Sequence, residues 1–137
     1  MGVLRPAAAA AFDGQPLRFA YLFGSQVTGR ARADSDVDVA VLLDDDQPAG
    51  RYLDLQLQLA RRLADAGAPG PVQVVIMNDA PLTLLGRIVA SHELIYSVDE
   101  PARVAFESRI FREFGDFEII FRGFDRELLG QIAAGRR

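Results

Sequence analysis

Cysteine is absent from this 137-residue sequence, lysine is absent, and histidine occurs once, at His92. Without cysteine there is no disulfide, no thiolate zinc site and no cysteine nucleophile. One histidine cannot build a multi-histidine metal centre. Any metal must therefore be held by oxygen ligands, which favours magnesium or manganese. A long apolar run is also missing, since nothing approaches the roughly 20 residues that span a bilayer, and no membrane association is expected. The segment Met1–Phe12 is alanine-rich, with Arg5 and Pro6. It is too short and too weakly hydrophobic for a secretory signal, so a cytoplasmic location is expected. An excess of positive charge is lacking too. Fifteen basic residues, all arginine, stand against nineteen acidic ones, for a formal net charge of −4. Neutralising phosphates takes a basic face, so direct nucleic-acid binding is not expected.

What is present is the composition of a folded globular chain: 50% hydrophobic and 25% charged residues, in a length suited to one ordinary domain. Residues 1–16 read as a short helix ending at the turn Asp13-Gly14-Gln15-Pro16. Leu17–Phe23 is a compact apolar run, a buried strand broken by Gly24-Ser25. A short helix is expected over 25–30, then a polar loop over 30–35. Asp36–Leu43 alternates and is rich in valine, a second strand. The triplet Asp44-Asp45-Asp46 reads as a solvated loop that ends it. Leu53, Leu55, Leu57 and Leu59 mimic a strand by their spacing. The Gln, Arg and Ala content and the Gly67 stop favour instead a helix over 50–66. Val72–Met77 is a third strand, Pro81–Ala90 a helix with Pro81 in its first turn, and Glu93–Ser97 a short edge strand. Beyond Pro101, Phe106, Ile110, Phe114, Phe117, Phe121, Phe124 and Leu128 recur at spacings of three and four. That is a helical period, with Gly115 and Gly123 as points of bending. The expected fold class is α/β: a small mixed sheet flanked by helices, with a long C-terminal helix or helix pair. Residues 1–100 form the main unit and 101–137 a helical extension that packs with it as one body. Its stripe is more apolar than so small a sheet can cover, so its far end is expected to bind a partner.

The chemistry is concentrated in one stretch. A hydrophobic strand ends in Leu22-Phe23-Gly24-Ser25, ten residues follow, and Asp36-Val37-Asp38 opens the next strand. Gly24, lacking a Cβ, lets the backbone approach a ligand closely. Ser25 stands where a helix should begin, and free N–H groups there suit a phosphate chain. Residues two apart on a strand point the same way, so Asp36 and Asp38 project two carboxylates from one face. Hard oxygens so placed suit magnesium carrying a nucleoside triphosphate.

This pattern resembles the signature of the DNA polymerase beta-like nucleotidyltransferase superfamily: Gly-Ser, a spacer, then Asp-x-Asp. The Leu-Phe-Gly-Ser lead and the Ser35-Asp36-Val37-Asp38-Val39-Ala40-Val41 strand are similar to the minimal nucleotidyltransferase (MNT) group. The likeness extends through Val72–Leu82 to most of residues 17–98, and more weakly to the tail over Arg103–Phe117. The resemblance implies a nucleotidyltransferase fold, ATP and Mg2+ as cofactors, Gly24 and Ser25 on the nucleotide, and Asp36 and Asp38 as metal ligands and catalytic residues. It also implies a partner, a HEPN-type RNase toxin. Members of this group act as that toxin's antitoxin, and related antitoxins transfer AMP from ATP to a tyrosine of the toxin.

The sequence departs from the superfamily at one position. Members place a third carboxylate on a later strand, where it completes the site and helps deprotonate the acceptor. By position that residue is 73, which here is Gln73. An amide ligates metal weakly and is no general base. Asp79 shares its strand parity but lies six residues on, about 20 Å along an extended chain. Asp34 precedes the second strand in the loop, and Arg30 and Arg32 in that loop are candidates for triphosphate oxygens. His92, Tyr21, Tyr52 and Tyr96 read as packing or surface residues. Three functions stay open: adenylyl transfer to a toxin, an antitoxin acting by binding alone with its catalysis impaired, and a small-molecule nucleotidyltransferase. The chain is short for the last, because relatives that modify small molecules carry a second helical domain.

Overall fold

The structure is a computed structural model that describes residues 4–24, 36–90 and 92–113. Helix α1 spans Leu4–Phe12. Its buried residues, Leu4, Ala7, Ala8, Ala11 and Phe12, are spaced by three, one, three and one, which is a single helical stripe. Pro6 is accommodated in the first turn, where backbone N–H groups have no intrahelical partner. The chain reverses at Gly14, whose positive φ of 73° ends the helix. Strand β1, Leu17–Phe23, follows and is buried at every position but Arg18. Apolar residues on both faces are what a central strand covered on both sides requires.

Strand β2, Val37–Leu43, runs antiparallel to β1. A short 3-10 turn at Ala49–Arg51 leads into helix α2, Tyr52–Asp65. The alternating leucines resolve as a helix that uses half of them: Leu55, Leu59 and Leu63 are buried, while Leu53 and Leu57 are exposed. Each buried leucine contributes about 2 kcal/mol of hydrophobic free energy. Strand β3, Val72–Ile76, returns parallel to β2. It ends one residue earlier than its apolar run suggests, because Met77–Asp79 closes into a 3-10 turn. The Asn78 amide side chain then pairs with both backbone groups of Leu43, at 2.8 Å and 3.1 Å, in place of another strand residue. Helix α3, Leu82–Ala90, begins just after Pro81. Strand β4, His92–Ser97, pairs antiparallel with the free edge of β1. Helix α4, Glu100–Glu113, completes the described chain.

The sheet order is β3-β2-β1-β4. One face carries Leu22, Val37, Val39, Val41, Val74 and Ile76 against α1 and α2. The other carries Phe19, Tyr21, Phe23 and Ala40 against α3 and α4, through Leu85, Ile88, Val89, Phe106 and Ile110. A register shift in β1 between Leu17 and Phe19 lets Leu17 share the first face with Ala20 and Leu22. Of the C-terminal stripe, Phe106 and Ile110 are buried. Its remaining members, and the helix expected over 25–30, lie outside the described residues. The α/β class, the mixed sheet and the flanking helices are as the sequence implied.

Candidate nucleotide site

At the end of β1 the chain turns at Gly24 with φ of +81°, a conformation that an L side chain resists. A Cβ placed on Gly24 would sit 2.5 Å from Oδ2 of Asp38, closer than real contacts allow. The absent side chain is thus what lets the β1 backbone lie against this carboxylate. The sheet register brings the rest together. Phe23 pairs with Asp38 across the antiparallel ladder, and Asp38 pairs with Gln73 across the parallel one. Asp36 is exposed, one residue ahead of β2, and Gln73 Nε2 donates a long hydrogen bond of 3.4 Å to its Oδ2. Val37 N–H donates to the Pro71 carbonyl at 2.7 Å, tying the start of β2 to the start of β3.

Strand parity puts Asp38 on the face of Ala40 and Gln73 on the face of Val75. Ala40 and Val75 belong to the core beneath α3 and α4. The polar residues therefore form the last row of that face, above an apolar floor. Ser25, Arg30, Arg32 and Asp34 lie outside the described residues. Asp79 sits in the 3-10 turn after β3 and is exposed.

A second polar group on the same face was not legible in the sequence. The buried Tyr21 hydroxyl donates to Glu107 on α4, which also receives Arg103 Nη1 at 3.0 Å. His92 is the register partner of Phe23 on β4. Its Nδ1 lies 2.8 Å from the Val89 carbonyl, and its Nε2 lies 3.9 Å from Glu107 Oε2. The Tyr21 and His92 rings are 4.4 Å apart. Burial, reinforced by the Glu107 carboxylate, pushes the Tyr21 phenol far above its ordinary range, so it is a neutral donor. Hydrogen bonds from Arg103 and Ser97 hold the Glu100 carboxyl at about 2. Tyr21 and Glu107 are 86 positions apart, so no local pattern announces their pairing.

The family model described as "Polymerase beta, Nucleotidyltransferase" matches residues 9–101. The chain belongs to the polymerase beta nucleotidyltransferase family. No curated protein matches it. Among solved structures, a chain of a toxin–antitoxin complex with AMP-PNP superposes with a TM-score of 0.64 at 22% identity, over 80% of this chain and 86% of the other. A chain of the toxin–antitoxin MntA-HepT gives 0.61 at 20% identity, over 83% and 86%. One from the tri-AMPylated Shewanella oneidensis HEPN toxin in complex with MNT antitoxin gives 0.52 at 23%, over 72% and 71%. At these identities the likeness establishes the fold.

Does this nucleotidyltransferase offer a place for the magnesium that its fold implies? Among the described residues no three His, Cys, Asp or Glu side chains converge. Asp36 and Asp38 lie two residues apart at the start of β2, with the Gln73 amide of β3 beside them. Magnesium is commonly held by one or two carboxylates together with substrate phosphates, so this donor set fits. The cradle left by Gly24 fits as well, since backbone and carboxylate share one wall of the site. Asp36 and Asp38 would hold the ion, and Gln73 would have to turn its amide by half a rotation to offer Oε1. Among the described residues, no helix is long and apolar enough to cross a membrane.

Proposed function

We propose that this protein is an MNT-type antitoxin that neutralises a HEPN-type toxin by transferring AMP from Mg-ATP to a tyrosine hydroxyl of the toxin. The observation that carries the reading is the row in which Gly24, Asp38 and Gln73 meet at the end of three adjacent strands, on a polymerase beta nucleotidyltransferase frame. Structural neighbours support the partner and the nucleotide: one is a toxin–antitoxin complex with AMP-PNP, another contains a tri-AMPylated HEPN toxin. Bound magnesium would supply charge neutralisation for the triphosphate and its pyrophosphate leaving group. The chain's own contribution is positional. Asp36 and Asp38 present anionic oxygens on one side, and the Gly24 backbone lets phosphate approach them without a steric wall. The acceptor oxygen forms a bond to the α-phosphorus, the bond from that phosphorus to the β-phosphate oxygen breaks, and pyrophosphate departs. The hydroxyl proton must go to a base, and a neutral amide at position 73 does not take it.

That last point favours a second reading, in which the fold binds the toxin without modifying it. In both, the far end of the C-terminal extension, from about Phe117 onward, docks the toxin, and the protein acts in the cytoplasm. The deciding experiment uses α-labelled ATP with magnesium and a co-expressed HEPN-type protein. Label on the HEPN protein carries the first reading. A tight, unlabelled and inactive complex replaces it with the second. Docking by the extension is checked by co-purification: Phe121→Asp with Phe124→Asp should release the partner and leave the thermal transition in place.

A further inference from the structure

Gln73 reaches along the sheet as well as across it. Its register partner is Asp38, yet its amide Nε2 donates to Oδ2 of Asp36, two residues earlier in the chain, at 3.4 Å. The backbone keeps the pair together, because Val37 N–H donates to the Pro71 carbonyl at 2.7 Å and Val37 pairs with Val72. A carboxylate oxygen accepts, so the amide meets Asp36 with its NH2 end and turns its own carbonyl oxygen elsewhere. Oδ2 of Asp38, for its part, faces the Gly24 backbone. An approaching cation therefore meets two carboxylates and, where a third acid could have stood, the donor end of a neutral amide.

We propose that Gln73 makes metal capture at this site conditional on the nucleotide: the site takes a divalent cation as its nucleoside triphosphate complex and not as the free ion. The inference rests on the transferase reading above and sets the form in which its substrate enters. Magnesium sheds its water reluctantly, and where a protein offers one or two carboxylates the remaining anionic oxygens come from substrate phosphates. A triphosphate brings those oxygens with it, and a free ion does not. The hydrogen bond from Gln73 is long and therefore weak. What turns the free ion away is the missing negative charge, together with an N–H edge set on the more exposed of the two carboxylates. Asp36 and Gln73 both face solvent, so the pair is open to a hydrated metal–nucleotide complex. Restoring the charge should restore capture of the bare ion. One added unit of negative charge about 4 Å from a dication tightens it by more than about tenfold even at the dielectric of water.

The competing account is that the amide turns over and serves as a third metal ligand through Oε1. Gln73→Glu and Gln73→Ala separate the two. Manganese is the probe, since it takes the same hard oxygen ligands as magnesium and its free and bound forms differ in electron paramagnetic resonance. The full chain is titrated with Mn2+ alone by resonance, and with Mn2+ and AMP-PNP by calorimetry. Position 73 is exposed, so each variant should keep the wild-type thermal transition. With Mn2+ alone, Gln73→Glu should bind at least about tenfold more tightly than wild type. Gln73→Asp is the second variant for the same arm. With Mn2+ and AMP-PNP, wild type and Gln73→Ala should bind alike. Wild type that takes Mn2+ alone as tightly as both acidic variants overturns the proposal. A loss of about tenfold or more in the affinity of Gln73→Ala for Mn–AMP-PNP also overturns it, in favour of the amide as ligand. A wild type that binds no Mn–AMP-PNP removes the nucleotide site itself. The expected binding pattern without AMP transfer to the HEPN-type protein overturns the transferase reading alone.

Discussion

A Cβ on Gly24 would lie 2.5 Å from Oδ2 of Asp38, so the turn after β1 and the carboxylate on β2 occupy adjoining space that admits no side chain. The contact joins what the sequence separates by a spacer of ten residues, bringing Gly24 against the second carboxylate of Asp36-x-Asp38. Gly24→Ala meets two penalties, the positive φ of 81° and the overlap with the carboxylate. The first alone costs about 1–2 kcal/mol. The expected outcome is a lowered thermal transition together with loss of Mg-ATP binding in a calorimetric titration. Unchanged ATP affinity in Gly24→Ala would mean that the ligand does not use this wall.

Asp36→Ala and Asp38→Ala should each weaken magnesium-dependent ATP binding by at least about tenfold, or 1.4 kcal/mol. Asp36 is exposed and its described contact is the long one to Gln73, so its removal should change stability by no more than about 0.5 kcal/mol. Titrations with and without magnesium check both parts. ATP binding that ignores magnesium in the wild type would remove the two carboxylates from the metal site.

Gln73 pairs in register with Asp38, the place where an added acid would face the other two. Gln73→Asp or Gln73→Glu should raise AMP transfer to the partner, by about 10²-fold if the added carboxylate acts as a general base. A slower rate in Gln73→Asp, measured by label transfer, would show that the amide itself is needed.

The Tyr21 hydroxyl gives a prediction in pH. Its pKa is raised in the folded chain, by burial first and Glu107 next, while in the unfolded chain it ionises near its ordinary 10.0. A raised folded value means a contribution fully present below pH 10.0 and lost as the pH climbs beyond it. Tyr21→Phe should lower stability by about 1 kcal/mol at neutral pH, through the lost hydrogen bond to Glu107. It should also flatten the alkaline fall in melting temperature. A smaller slope should remain, because burial raises Tyr96 as well. On the acid side Glu100 has the opposite sign. Its value is lowered from 4.5 to about 2, so its contribution is present above pH 4.5 and disappears as the pH falls towards 2.

Local chemistry announces much of this protein. Leu17–Phe23 is the strand its apolar run implies, and Leu55, Leu59 and Leu63 select a helical period out of an alternating pattern that also permits a strand. The Gly-Ser and Asp-x-Asp motifs were readable because each needs only near neighbours: a residue without a Cβ, and two carboxylates of like parity on a strand. The tertiary structure decided which distant residues share a row. That Gln73 lies beside Asp38, and that His92 lies two strands away on the same face, depends on the sheet order β3-β2-β1-β4. Strand order is a property of long-range hydrogen bonding, which no local periodicity encodes. The pairing of Tyr21 with Glu107 depends likewise on how α4 crosses the sheet. Its stripe of Phe106 and Ile110 states that a face is buried, but the partner of each polar residue beside that stripe is chosen by packing alone.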